Sequence, residues 1–284
     1  MNNVNLPGKG KSILVTGCSS GIGYDAAFGL RKRGWRVFAT CRKEADCQRL
    51  IKSGLESFRL DYADEASIAD GFGEAIERTG GTLDALFNNG AYAMPGAVED
   101  LPRDALRDIF ETNLFGYHDL TRRAIPVMRS QGYGRIVNNS SVLGFCALRM
   151  RGAYASTKHA LNGLTDTLRL ELSRTDIKVI LIEPGPVTSK IRENSRQHFE
   201  RWIDCENSVW ADFYRRSLKP RLYDPKQARD KFELPASAVT AKLVSALESR
   251  SPKPHYYVTT PTFIIGFLKR ALPIRAQDKF LLKI

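Results

Sequence analysis

Ser12-Ile13-Leu14-Val15-Thr16-Gly17-Cys18-Ser19-Ser20-Gly21-Ile22-Gly23 is the stretch on which the fold turns. Its first five residues form a short apolar, β-rich run bounded by Gly17, the pattern of a strand buried on both faces in a parallel sheet. A helical stretch follows as far as Arg33. The glycine-rich turn between them lets backbone approach a phosphate. The helix behind it offers free N–H groups and the positive end of its dipole. Loose glycine spacing is weak by itself; the strand before it and the helix after it supply the structural context.

Outward from this unit the pattern repeats. Residues 36–40 read as a second strand, ending at Cys41-Arg42-Lys43 with no acid until Glu44. At the end of such a strand an acid would accept from an adenosine 2′-hydroxyl, whereas an arginine accommodates a 2′-phosphate. Arg42, with Ser20 adding a hydroxyl, therefore favours NADP(H) over NAD; the plain alternative for Arg42 is a surface cation. Residues 57–60, 83–87, 135–139, 178–182 and 255–258 read as further strands. Residues 65–79, 103–131, 153–174 and 235–248 read as helices, with Pro126 at a kink or break in the long one and Pro235 in a first turn. This alternation implies a Rossmann-type doubly wound parallel sheet, α/β and three layers deep, in a single domain over residues 1–284. Ligands then sit outside the carboxyl ends of the strands.

In Tyr154-Ala155-Ser156-Thr157-Lys158 the tyrosine and lysine lie four apart, on one face of a helix. An ammonium near a phenol favours the phenolate and lowers its pKa, which suits a group that moves a proton to or from a substrate oxygen. Alone, the pair also fits an amphipathic helix with a buried tyrosine and an exposed lysine.

With 284 residues the chain easily buries a core, and its mix of 43% hydrophobic and 26% charged residues is that of a globular protein. No run approaches the about 18 apolar residues of a membrane span, and the N-terminus lacks the charged and apolar regions of a secretory signal. Five scattered cysteines suggest neither a disulfide framework nor a metal site and point to a reducing, cytoplasmic compartment. The four histidines show no metal-ligand spacing. A net charge of +12 fits an anionic cofactor, an acidic membrane surface or nucleic acid. No basic block is interleaved with aromatics, which leaves nucleic acid with net charge as its sole support.

Three segments flank this frame. Residues 1–10 look like a flexible leader. Residues 189–234 carry Phe199, Trp202, Trp210, Phe213 and Tyr214 and read as a substrate-covering insertion, one or two mobile helices forming a helical C-terminal lid; a plain surface insertion is the alternative. The tail, 259–284, follows the apolar Phe263-Ile264-Ile265-Gly266-Phe267-Leu268 with Lys269, Arg270, Arg275, Lys279 and Lys283. It either makes weak contact with an anionic membrane surface or closes the pocket, and so short a run is more often buried.

With these residues assembled, the chain resembles the short-chain dehydrogenase/reductase family from about residue 11 to residue 189. Val37-Phe38-Ala39-Thr40-Cys41-Arg42 and Tyr257-Val258-Thr259-Thr260-Pro261 are similar to its 17-beta-hydroxysteroid and retinol dehydrogenase-like branch. The resemblance implies cofactor contacts at Gly17, Ser19, Ser20, Gly21, Ile22 and Gly23 in the first turn, at Arg42, and at Asp61 and Tyr62 after the third strand. It adds Asn89 and Gly90 after the fourth strand, Tyr154 and Lys158 on the helix, and Pro184, Gly185, Val187 and Ser189 after the sixth strand. It implies a catalytic set of Asn113, Ser141, Tyr154 and Lys158, with Ser141 thirteen residues before Tyr154, and substrate contacts at Ser141, Leu143 and Tyr154. Two departures stand out. The family commonly reads Asn-Asn-Ala-Gly where this chain has Asn88-Asn89-Gly90-Ala91, and the turn after the sixth strand ends in Thr188-Ser189 rather than at a threonine.

The expected activity is NADP(H)-dependent interconversion of an alcohol and a carbonyl on an apolar substrate such as a steroid, retinoid or lipid-like aldehyde. Val142, Leu143, Phe145 and Met150 supply apolar walls. Tyr154 moves the proton, Lys158 lowers its pKa and holds the nicotinamide ribose, Ser141 steadies the substrate oxygen, and Asn113 holds a water that links Lys158 to solvent. The resemblance also implies a homo-dimer or homo-tetramer built through residues 103–131 and 153–174. A non-catalytic NADP-binding regulator or scaffold on the same fold is the competing reading; the intact Tyr154–Lys158 pair argues against it.

Overall fold

The computed structural model describes residues 8–224 and 230–283. Seven parallel strands, β1 (Ser12–Val15), β2 (Arg36–Cys41), β3 (Glu56–Arg59), β4 (Ala85–Asn88), β5 (Gly134–Asn139), β6 (Ile177–Glu183) and β7 (His255–Tyr257), form one sheet in the order β3-β2-β1-β4-β5-β6-β7. The helices are α1 (Gly21–Lys32), α2 (Glu44–Lys52), α3 (Glu65–Thr79), α4 (Arg103–Phe110), α5 (Gly116–Ser130), α6 (Gly152–Glu171), α7 (Ile191–Trp202), α8 (Ala211–Phe213), α9 (Lys219–Tyr223), α10 (Ser237–Glu248), α11 (Thr260–Ala271) and α12 (Ile274–Leu281).

Strand alternation sets the layers. Ile13 and Val15 point into a core shared with Ala26, Leu30, Leu50 and Leu243 of α1, α2 and α10. Leu14, between them, points to the other face and packs with Ile68, Leu120 and Leu161 of α3, α5 and α6. Val15 pairs with Ala39 on one side and Phe87 on the other. From β3, at one edge, the chain crosses to β4 on the far side of β1. The connections leaving β1 and β4 thus diverge and open a crevice at their carboxyl ends.

The long helix expected at 103–131 does not break at Pro126, which sits inside α5. Leu120, Ala124 and Met128 hold that helix on the sheet, so losing one backbone donor does not end it. The irregularity lies instead at Glu111–Phe115, a π-helical turn that carries Asn113. The helix α2 and the two tail helices were not anticipated. Of the expected leader, residues 1–7 lie outside the described residues, and Gly8 is buried: its N–H donates to the Arg33 carbonyl at 3.1 Å.

The insertion is more than one or two helices and has its own core. Phe199, Ile203, Tyr214, Leu218 and Leu222 pack with Ala97 and Met150. The Tyr214 hydroxyl accepts from Ala97 N–H at 2.8 Å and donates to Asp100. In the tail, Thr262 and Gly266 are buried and Ile265 packs against the apolar cluster that includes Tyr154 and Leu143, so the inner face of α11 rests on the body of the protein. Phe263 and Phe267 stay exposed. Among the described residues no helix is long and apolar enough to cross a membrane.

Candidate active site

A cavity of about 690 Å³ runs along the carboxyl ends of the strands. Its first wall is the turn from β1 to α1, with Gly17, Ser19, Ser20, Gly21 and Ile22. Gly17 has φ 68° and a Cβ there would stand 2.5 Å from the Cα of Gly90, so the turn needs glycine on both counts. Gly23 lies behind the wall, its Cα pressed against the Gly17 carbonyl. No side chain caps the start of α1 and its first turn holds no acid, which leaves its backbone donors for an anionic ligand. That is the fit a dinucleotide's phosphates require.

Thr16 ties this turn to the next. Its Oγ1 accepts from Asn89 N–H at 2.9 Å and from Gly90 N–H at 3.2 Å, and pairs with the Tyr62 hydroxyl at 2.7 Å. Asn89 donates to the Thr16 carbonyl at 3.0 Å and accepts from Asn139 at 2.9 Å. The swapped Gly90-Ala91 pair therefore leaves the turn intact, and both residues line the cavity.

Two expected site residues, Tyr62 among the cofactor contacts and Asn113 in the catalytic set, have side chains committed inside the protein. Tyr62 is a core residue: its hydroxyl bridges Thr16 and Asn88, its ring packs on Tyr117, and burial raises its pKa. Its side chain has no reach to the cavity, because its polar atom is already satisfied inside. Asn113 is fully buried, with its amide donating to the Tyr92 carbonyl at 2.9 Å and to Thr157 at 3.3 Å, while its oxygen accepts from Tyr92 N–H at 3.1 Å. The side chain is spent on fixing the loop after β4 and on Thr157. Arg42 and Asp61 stand outside the cavity lining; Arg42 is exposed at the end of β2, and Asp61 accepts from Ala63 N–H at 3.1 Å.

Ser141, Leu143, Tyr154 and Lys158 come together on the opposite wall. Lys158 is 1% exposed; its Nζ donates to the Asn139 carbonyl at 2.8 Å and lies 5.7 Å from the Tyr154 ring centre. Burial lowers its pKa to about 7. Burial pushes Tyr154 up to about 12, against a lowering by its hydrogen bond with Ser141. The expected depression of Tyr154 is thus reversed in the protein alone, since desolvation outweighs a lysine that is itself reluctant to be charged. Pro184, Gly185, Val187 and Ser189 complete the wall after β6. Gly185 is packed against Thr259 and Thr262 at the start of α11.

Sequence reasoning missed a hydrogen-bonded chain behind this wall, running from the partly exposed Asp166 and His255 to the buried Glu183, Asn162 and Ser140. His255 bonds Glu183 at 2.8 Å and Asp166 at 3.0 Å; Glu183 accepts from Asn162 at 2.8 Å, and Asn162 in turn accepts from Ser140 at 2.5 Å. Its signal was an acid at the end of an apolar strand, Ile180-Leu181-Ile182-Glu183, where a buried carboxylate demands partners. Arg151, also on the cavity wall, was missed too.

The model of the family described as short chain dehydrogenase matches residues 11–200, and the chain belongs to that family of nicotinamide-dependent oxidoreductases. The chain is 38% identical over 271 residues to the uncharacterized oxidoreductase YbbO of Escherichia coli, covering 95% of this chain and 94% of that one. It is 32% identical over 190 residues to human (Homo sapiens) retinol dehydrogenase 8, covering 63% and 60%. Among solved structures, a short-chain dehydrogenase from Streptomyces avermitilis superposes with a TM-score of 0.78 at 27% identity over 96% of both chains. Actinorhodin polyketide ketoreductase with NADPH superposes at 0.70 and 29% identity, covering 87% of this chain and 95% of that one. A Burkholderia phymatum structure in complex with NAD shares the fold at 0.77 and 24% identity, over 97% and 96%.

Proposed function

We propose that the chain is an NADP(H)-dependent reductase of carbonyl groups on apolar substrates, with Tyr154 as the proton donor. The observation that carries this is the wall that sets Ser141, Tyr154 and Lys158 in one cavity with the uncapped start of α1. When bound, NADPH supplies the hydride. Its phosphates would rest on backbone N–H groups at Ser20, Gly21 and Ile22, and Arg42 would face the 2′-phosphate. Lys158 would hold the ribose, and Ser189 would meet the carboxamide, because the neighbouring Thr188 hydroxyl is taken by Glu233 at 2.6 Å.

A phenol with a pKa of about 12 is protonated across the physiological range. In that form it can donate its proton to a carbonyl oxygen. Ser141 donates a second hydrogen bond to that oxygen. With the Asn113 side chain committed, the water link to Lys158 falls to backbone: a π-turn displaces carbonyls from regular pairing. Leu143, Ile191 and the inner face of α11 form the apolar wall. The groove between α5 and α6, where Leu164 is exposed, is the surface for a second copy.

The test is NADPH oxidation with a panel of steroids, retinoids, long-chain aldehydes and simple ketones. Tyr154→Phe should lose about a thousandfold in turnover while keeping NADPH affinity; activity within a few-fold removes Tyr154 from this role. Arg42→Asp should swing preference toward NADH, and equal affinity for both cofactors in the unmodified chain would refute the NADP(H) assignment.

A further inference from the structure

We infer that Arg151 is an anion-binding subsite of the substrate cavity, and that the carbonyl compound reduced at Tyr154 carries a carboxylate at its far end. This deepens the reductase reading above and rests on it.

Arg151 stands three residues before Tyr154, as the residue that enters α6. Both line the same cavity. Among the described residues no carboxylate is bonded to Arg151. The acid whose charge reaches it, Asp230, is already bonded to Arg192 at 2.9 Å and to Arg221. Asp230 is thus shared by two other guanidinium groups, while Glu233, also on the cavity wall, accepts from Thr188 and from the Asp230 N–H.

Holding Arg151 there is costly in three independent ways. Burial lowers its pKa to about 10, a sign of lost hydration for a group that stays charged at neutral pH. It stands at the positive end of the α6 dipole, whose first turn contains no acid to offset it. The preceding Met150 adopts φ 62°, the only left-handed backbone at a non-glycine among the described residues. Arg151 is partly buried, and its guanidinium opens onto the cavity rather than onto a partner among the described residues of the chain. Local costs without a compensating partner in the chain are what a ligand site leaves behind.

A planar guanidinium matches a carboxylate with two parallel hydrogen bonds. Leu143, Ile191 and Leu222 line the cavity that Arg151 shares with Tyr154, so the fitting substrate has an apolar middle and an acid end. The cofactor's phosphates are accounted for elsewhere, at the start of α1 and at Arg42.

The test compares NADPH-dependent reduction of 4-carboxybenzaldehyde with that of its methyl ester by the full chain, Arg151→Met and Arg151→Lys. The unmodified chain should prefer the acid in kcat/KM. Arg151→Met should cut the acid-to-ester ratio about 10- to 100-fold, mainly through the KM of the acid, and Arg151→Lys should recover part of it. An unchanged ratio in Arg151→Met, or an ester preference in the unmodified chain, overturns the proposal. So does a loss of NADPH affinity in Arg151→Met that equals its loss of turnover, since the anion held would then be a cofactor phosphate. Should neither aldehyde be reduced, the reductase reading fails separately. Benzoate titrated by calorimetry into the NADP-loaded protein then decides: binding to the unmodified chain that Arg151→Met abolishes supports the subsite, and equal or absent binding in both overturns it.

Discussion

The two sides of the cleft are built differently. On the cofactor side, β1, its turn and α1 are contiguous in sequence, and Thr16, Asn89 and the Asn139 amide nitrogen are linked by hydrogen bonds across three strands. On the lid side, residues near 97, 150, 192, 214, 222 and 230 meet from distant parts of the chain, and charge is left in excess around Arg151. The first side presents mainly backbone to the cleft; the second presents side chains. A conserved mode of binding needs the former, and specificity needs the latter.

This contrast breaks hardest at Gly17. Gly17→Val puts a branched side chain at a left-handed φ and against the Gly90 backbone, and should destabilise the fold by about 3 kcal/mol and weaken NADPH more than tenfold. Urea unfolding and fluorescence titration check it; a folded variant with unchanged affinity would show that the turn tolerates bulk. On the lid side, Tyr214→Phe orphans the Ala97 N–H and should cost about 2 kcal/mol. It should raise the KM for the carbonyl compound while NADPH affinity stays within twofold, and a change confined to NADPH would show that the two sides are not separable.

A smaller effect tests the wall between them. Glu183 and Asp166 raise the His255 pKa. With the folded value above the ordinary about 6.5, the stabilisation is full below that pH and is lost as pH rises through the raised value. The unmodified chain should therefore lose about 1 kcal/mol relative to His255→Gln between about pH 6 and about pH 9, a modest figure because His255 is partly exposed. Parallel stability curves for the two would mean that His255 is neutral throughout. Away from the cleft, Gly73→Ala should stabilise by about 0.5 kcal/mol, because α3 has open space at that Cβ. It should leave turnover and both affinities untouched.

Much of the frame was legible because periodicity reports burial directly. Residues 65–79 were expected as a helix and are one, and the strands fell within a residue or two of their observed bounds. The lid was legible as aromatic and charged but not as a packed unit, since Tyr214 finds Ala97 across more than a hundred residues. Arg42 and Arg151 look alike in sequence, each a lone arginine near a strand or helix end. In the structure the first is exposed at the end of β2, and the second is partly buried on the cavity wall.

The sequence by itself determined the strand–turn–helix unit at residues 12–32, the parallel alternation, and the placing of Tyr154 and Lys158 on one helix face; Ser141 joined them through the family resemblance. The first three rest on spacing within one element or between neighbours. The tertiary structure alone decided the proton affinities of Tyr154 and Lys158, the inward turn of Tyr62 and the unpaired charge of Arg151. These depend on how much water each group keeps, and burial is a sum over side chains brought from the whole chain.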